Sequence, residues 1–391
     1  MQRRALLSAA LAGGTLALTG TPAGAVDRTG TGTGIGTIGP AGAAGTERTA
    51  GTTINREALA AAIEPLDAGA SGALVRVEGS DGRWRGRAGV ADLRTGAPVP
   101  WDARFRIGSM TKTFTAAAMV QLAQHGLIDI DAPVRRILPD RLPPGYAGTV
   151  RQLLDHTHGL QAVAIPHKTW SWFKEHRYDT FAPGSQVLWN EPPPYTPGER
   201  QDYGNVGYIV AGLVIERVTG RPYADAIRRG ILRPLGLHHT YLPGTDTAIP
   251  GPHARGYELV DGVYEDVTRA NPSLQWAAAE IISTTGDLDR FLTALLGGRL
   301  LPRRWLEVML TVPEHATSWP DGADPTYSAG LNRIRLGGWE LWGKSGDRPG
   351  YNNGMGATLD LSRRLVYSVN TLTMGGDLPV VSQRIVTAAL S

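Results

Sequence analysis

Three short groups of residues carry the side chains that nucleophilic catalysis needs. The first is Ser109-Met110-Thr111-Lys112, preceded by Phe105-Arg106-Ile107-Gly108 and followed by a helix pattern. A serine in the first turn of a helix holds its Oγ at the positive end of the helix dipole. A lysine three residues later lies on the same face, within reach of that oxygen. The lysine can serve as a base only where burial or a neighbouring cation lowers its pKa. The second group is Tyr203-Gly204-Asn205, ahead of the apolar run Ile209 to Val218. A loop here can present a phenol as a proton shuttle, and an amide that holds both Lys112 and a substrate carbonyl. The third is Lys344-Ser345-Gly346, after the strand pattern Trp339 to Trp342. A lysine there can face the nucleophile and depress the pKa of Lys112, while Gly346 lets a substrate lie against the strand edge.

Each group also has a plainer reading. Ser171-Trp172-Phe173-Lys174 repeats the Ser-x-x-Lys spacing in a polar, aromatic segment with no helix start. Tyr351-Asn352-Asn353 repeats Tyr-x-Asn within a Gly/Pro/Asn turn. Tyr203 to Asn205 alone reads as a helix start capped by asparagine, and Lys344 alone as an exposed lysine before a turn. Gly338 to Ser345 is a formal P-loop match, but its spacer Trp339-Glu340-Leu341-Trp342 alternates like a strand, and Asp347-Arg348-Pro349-Gly350 cannot start a long helix. Gly34 to Gly39 matches a dinucleotide fingerprint with no strand before it and no helix after it. His156 and His158 lack a third metal ligand at suggestive spacing and read as structural loop residues. With no Gly-x-Ser-x-Gly elbow, an α/β-hydrolase is not indicated.

Taken together, the three groups resemble the penicillin-recognising serine hydrolases, the serine β-lactamase and penicillin-binding protein superfamily. Tyr-x-Asn in place of Ser-Asp-Asn points to the branch of class C β-lactamases and secreted D-Ala-D-Ala carboxypeptidases. Leu153-Leu154-Asp155-His156-Thr157-His158-Gly159-Leu160 is similar to that branch's Leu-Leu-x-His-Thr-Ser-Gly-Leu, with His158 in place of serine. Tyr203 to Tyr208, Ile282 to Leu288 and Gly350-Tyr351 fit further motifs, and the resemblance covers about residues 56–391.

The resemblance implies Ser109 as nucleophile, Lys112 and Tyr203 as its proton-handling partners, and Asn205 and Lys344 as further catalytic residues. It implies an oxyanion hole built from the backbone N–H groups of Ser109 and Asp347. Ser345 and Gly346 would meet the substrate, Trp276 would wall the cleft, and Arg333 or Arg335 would help bind a carboxylate. The implied function is a secreted D-alanyl-D-alanine carboxypeptidase that acts through an acyl-enzyme on peptidoglycan stem peptides. A β-lactamase, an esterase or a D-amino-acid amidase with the same machinery is the alternative, and a non-catalytic penicillin- or cell-wall-binding module the alternative of another class. Carboxypeptidases of this branch usually carry His-Thr-Gly where this chain has Lys-Ser-Gly, a lysine also typical of β-lactamases. The substrate would be a small peptide or a β-lactam, with cell-wall peptidoglycan as a partner. No cofactor, metal, nucleic acid or transmembrane anchor is implied, and a monomer is expected.

These residues need elements to hold them. Ala73 to Val77 and Trp84 to Val90 read as strands around the turn Gly79-Ser80-Asp81-Gly82. Arg56 to Leu66 and Asp287 to Leu296 read as helices, and Pro379 to Leu390 as a closing one. Thr111 to Gly126 reads as an amphipathic helix with Phe114, Ala118, Leu122 and Leu127 on one face. Leu331 to Leu336, Trp339 to Trp342, Gly356 to Leu361 and Leu365 to Thr371 read as late strands. The expected architecture is α/β of the α+β type: one antiparallel sheet with strands from both chain ends, flanked by helices and interrupted by an all-helical insertion, β-lactamase/transpeptidase-like. The α/β part spans about 54–126 plus 281–391 and the insertion about 127–280, within a hydrolase domain of 54–391.

Composition agrees with an exported globular enzyme. The 391 residues include no cysteine, which excludes disulfides, thiolate metal sites and a cysteine nucleophile. Arg3-Arg4, an apolar stretch from Ala5 to about Thr19 and Ala23-Gly24-Ala25 read as a signal peptide over 1–25, of the twin-arginine type. Residues 26–53 read as a Gly/Thr-rich linker. Net charge is only +3 and no basic run stands out, so nothing suggests a nucleic-acid footprint. Basic charge is almost all arginine, with four lysines at 112, 168, 174 and 344. Arginine does not give up its proton in proteins, whereas lysine can.

Overall fold

The computed structural model describes residues 53–374 and 379–391. The expected signal peptide and nearly all of the expected linker lie outside the described residues. A helix, α1 (Arg56–Ile63), opens the described chain, with the Asn55 side chain accepting from the Ala58 N–H as its cap. Two strands follow, β1 (Ala70–Gly79) and β2 (Gly82–Asp92), joined by the Ser80-Asp81 turn, then the short β3 (Ala97–Pro98). The second half supplies β4 (Asn332–Leu336), β5 (Trp339–Arg348), β6 (Tyr351–Ala357) and β7 (Arg363–Thr371). They form one seven-stranded antiparallel sheet of order β4-β5-β6-β7-β1-β2-β3. The β1–β7 pairing joins the two halves of the chain, with Val75 opposite Tyr367 and Val77 opposite Leu365.

Helices cover both sheet faces. On one, Leu59 and Ile63 of α1 and Val381 and Ile385 of α5 (Val380–Ala389) pack on Val75, Val77 and Val369. On the other, Leu288, Phe291 and Leu295 of α4 (Thr285–Leu296) pack on Met355 and Val366, beside α2 (Thr111–Gln124) and α3 (Val206–Thr219). Phe114 of α2 stacks on Phe291 at 3.8 Å between ring centroids. Such a pair adds about 0.5–1.5 kcal/mol beyond its burial.

The structure departs from the sequence expectations in four places. The helix that follows Ser109 is not amphipathic: every residue from Thr111 to Val120 is buried, while Leu127, placed on its apolar face, lies beyond it and is exposed. The threonines are tolerated inside because their hydroxyls find backbone partners, Thr113 donating to Gly330 O and Thr115 to Ala277 O, each at 2.7 Å. The strand expected over Trp339 to Trp342 runs on to Arg348, so Lys344 sits mid-strand. The strand expected at Gly356 to Leu361 starts at Tyr351 instead, and Tyr351-Asn352-Asn353 opens it rather than forming a turn. Every position of β6 is buried, so the usual alternation was absent from the sequence. Finally, the middle segment, expected to be all-helical, also carries a hairpin over Tyr257–Val260 and Val263–Asp266. Asp261 and Gly262, both at positive φ, make its two-residue turn.

Candidate active site

Ser109 lies in the 3-10 turn Gly108–Met110 that leads into α2. That turn meets β5 edge on, and the meeting needs two glycines. A Cβ on Gly346 would stand 1.9 Å from Ile107 O, and one on Gly108, at φ +55°, would stand 2.5 Å from the Asp347 nitrogen. With no side chain at either position, the Gly108–Met110 turn and the Gly346-Asp347 backbone pack directly against each other. Asn353 ties the two walls together, its Nδ2 donating to Arg106 O at 2.9 Å and Gly346 O at 3.3 Å.

Lys112, the second residue of α2 and one turn beyond Ser109, is fully buried. Its Nζ donates to Ser109 Oγ at 3.1 Å, Asn205 Oδ1 at 2.8 Å and Ala278 O at 3.3 Å. The segment that offers the Ala278 carbonyl is clamped to the same helix: Thr115 donates to Ala277 O, and the Ile281 N–H donates to Thr111 Oγ1 at 3.1 Å. Among the described residues no carboxylate lies within ion-pair distance of Lys112 or Lys344. Burial brings Lys112 down to about 8; Tyr203 pulls against it, and the charge of Lys344 adds a smaller push in the same direction as burial.

Tyr203 reaches the same point from the loop before α3. Burial would push its phenol up, but Lys112 and Lys344 together bring it down to about 7, with hydrogen bonds from Ser109 and Lys344 adding to this. Its ring is held by neighbours the sequence reading did not single out for this purpose. Tyr327 stacks on it at 4.7 Å and His156 packs against it at 4.5 Å. Gln201, two residues earlier and buried, donates to Asp155 O and Tyr327 O and accepts from the N–H groups of Thr326 and Tyr327. Asn205 occupies the N-cap position of α3 without capping it, because its side chain turns to Lys112.

Lys344 is buried mid-strand, not an exposed lysine before a turn; its Nζ donates to Ser345 O and lies 4.7 Å from the Tyr203 ring centroid. Ser109, Tyr203, Asn205, Lys344, Ser345 and Gly346 thus share one cleft of about 390 Å³. The other candidates are elsewhere. Trp276 is a core residue packed edge-on to Tyr223 at 4.5 Å, so it does not wall the cleft. Arg333 pairs with Glu314 at 3.3 Å and Arg335 with Glu340 at 2.9 Å, and neither lines the cleft. Ser171 and Lys174 are exposed on the short helix Trp170–His176. His156 and His158 are buried and uncharged, with burial holding His158 at about 4; the Leu160 N–H donates to His158 Nδ1 at 2.8 Å. Asn353, Gln201 and Tyr327 were missed because each acts across a long sequence separation. Two asparagines inside a fully buried strand were the only signal.

Chemically, the arrangement pairs a hydroxyl with an amine and a phenol that are both brought near neutral pH. The family model described as Beta-lactamase matches residues 59–390. A D-stereospecific amidohydrolase from Streptomyces sp. superposes with TM-score 0.75 and 36% identity, covering 86% of this chain and 98% of that one. The D-amino acid amidase of Ochrobactrum anthropi SV3, solved with D-phenylalanine, gives TM-score 0.67 and 28% identity over 85% of this chain and 98% of that one. Esterase EstB of Burkholderia gladioli is 31% identical over 175 residues, 39% of this chain and 42% of that protein. The chain spans about two fifths of the length of curated relatives that it matches. Among the described residues no helix is long and apolar enough to cross a membrane. The extent of the family match and the relatives that share this fold and sequence lead to one conclusion: the chain belongs to the beta-lactamase family and is a serine hydrolase of the β-lactamase and penicillin-binding protein superfamily.

Proposed function

We propose that this hydrolase cleaves amide bonds whose acyl residue has the D configuration, through an acyl-enzyme on Ser109. The observation that carries the chemistry is Lys112: buried, bonded to Ser109 Oγ and without a carboxylate partner. In its neutral form Lys112 takes the serine proton as Oγ attacks the carbonyl carbon. The carbonyl oxygen becomes an anion facing the Ser109 and Asp347 N–H groups. One such donor contributes about 3–4 kcal/mol of transition-state stabilisation. Collapse breaks the carbon–nitrogen bond, and Tyr203 delivers the proton to the departing amine, reprotonated in turn by Lys112. Water then attacks the ester, losing its proton to the same groups, and the acid leaves as Ser109 regains its hydrogen. Lys344 acts by charge, favouring phenolate at Tyr203 and the neutral amine at Lys112.

The D preference is supported by the Streptomyces amidohydrolase, which matches along almost its whole length. Hydrolysis of D- and L-phenylalanine amide tests it: a D rate at least about a hundredfold above the L rate is expected, and an equal or higher L rate rejects the reading. A second reading, the D-alanyl-D-alanine carboxypeptidase acting on stem peptides, is supported by Lys344 and Ser345, whose ammonium and hydroxyl line the same cleft and suit a terminal carboxylate. Release of D-alanine from an N-acylated peptide ending in D-Ala-D-Ala, faster than ammonia from D-phenylalanine amide, would select it. Export by the Arg3-Arg4 leader fits either substrate.

A further inference from the structure

At the Arg348 end of β5 a second hollow opens from the cleft, sharing His167, Lys168, Gln275, Asp347 and Thr373 with it. Its place relative to the chemistry follows from the reaction. The leaving nitrogen must reach Tyr203, which sits at the Lys344 end of the strand. The acyl group therefore extends the other way, past the Asp347 N–H, toward Arg348. Trp172, Phe173, Phe181 and Leu274 give the hollow apolar walls.

Its charges are out of balance. Arg348 donates from Nη1 to Gln275 Oε1, while its Nε is buried without a partner. Arg106, buried nearby, spends Nε and Nη2 on the carbonyls of Thr268 and Thr247 and leaves Nη1 unpartnered. Arg177 donates to the carbonyl of Asp266 at 3.0 Å. Among the described residues none of these three guanidinium groups has a carboxylate within ion-pair distance. Among the described residues Asp347 is the only acid lining either hollow, and its side chain lies 3.9 Å from Lys168. Burial first, and Arg106 second, hold Arg348 down to about 10. A guanidinium nitrogen buried without a partner is costly, and an incoming anion that reaches it relieves that cost.

We propose that this hollow is an acyl-side specificity site that selects an acidic D-residue, its carboxylate meeting Arg348 and Lys168 and its methylene stem lying between the aromatic walls. The proposal rests on the amidohydrolase reading above. The test compares the p-nitroanilides of D-glutamic acid (linked through the α-carboxyl), D-glutamine and D-phenylalanine on the full chain. D-Glutamyl should exceed its uncharged isostere D-glutaminyl by at least about tenfold in kcat/KM, mostly through KM, with D-phenylalanyl below D-glutamyl. The D-glutamyl to D-glutaminyl ratio should fall to about one in Arg348→Met. In Lys168→Met, at an exposed position and so independent of any folding defect in the first variant, it should fall about threefold. D-Glutaminyl or D-phenylalanyl turned over as well as D-glutamyl, or a ratio that neither substitution moves, overturns this proposal alone. No turnover of any of the three anilides, with p-nitrophenyl acetate still hydrolysed, overturns the amidohydrolase reading and this proposal with it.

Discussion

The molecule buries positive charge in two contrasting ways. Near α4, Arg364 donates to Glu78 at 3.1 Å and Asp289 at 2.8 Å, and Arg76 also pairs with Glu78. At the candidate active site Lys112 and Lys344 are more deeply buried, yet their partners are a hydroxyl, a phenol, an amide oxygen and backbone carbonyls. The first arrangement is neutral and holds the sheet to a helix. The second keeps an unmatched positive potential. Had a carboxylate faced Lys112, the ammonium would have been stabilised and the base lost. The unmatched charge is what lets an amine and a phenol exchange protons near pH 7, and what an oxyanion at Ser109 would satisfy.

Substitutions separate the two regions, and the largest effect belongs to Ser109. Ser109→Ala should lower kcat by about 10⁴-fold or more, read as loss of turnover and of any acyl adduct by mass spectrometry. Lys112→Met should fall almost as far, and Lys112→Arg should not rescue it, because a guanidinium keeps its proton. Lys344→Met should cost less, about 10- to 100-fold at pH 7. Its sign is definite. Lys344 lowers both Lys112 and Tyr203, so removing it raises both, and the rising limb of kcat/KM against pH should move to higher pH. Asn353→Ala, which unties Gly346 from Arg106, should lower kcat by about tenfold with little change in KM. In the paired region, Asp289→Asn should lower stability by about 1–3 kcal/mol, read by denaturant unfolding, and leave kcat unchanged. A loss of turnover there, or an unmoved pH profile in Lys344→Met, would erase the distinction.

The residues that share the cleft were legible in the sequence because motif residues sit beside the backbone features that aim them. Ser109 precedes a helix, Gly346 follows Lys344, and Tyr203 and Asn205 share one short loop. One sheet drawn from both chain ends was legible from the order of elements, with strands early and late and helices between them. What escaped was set by tertiary contact. The strand Tyr351–Ala357 is covered on both faces and rich in glycine and asparagine, so neither periodicity nor propensity marked it. Gln201, Tyr327 and His156 orient Tyr203 from three separate segments, and only the fold assembles them. Arg333 and Arg335 resembled carboxylate ligands until the fold set Glu314 and, across the β4–β5 hairpin, Glu340 against them.

Four lysines make the central claim directly measurable. With ¹³Cε-labelled lysine the protein should give four resonances, assigned by single substitutions, each followed from pH 5 to 11. The Lys112 resonance should titrate near 8, and its midpoint should rise in Lys344→Met. A Lys112 resonance that stays protonated beyond pH 10, in wild type and variant alike, would contradict the claim that unpaired burial makes this lysine the base.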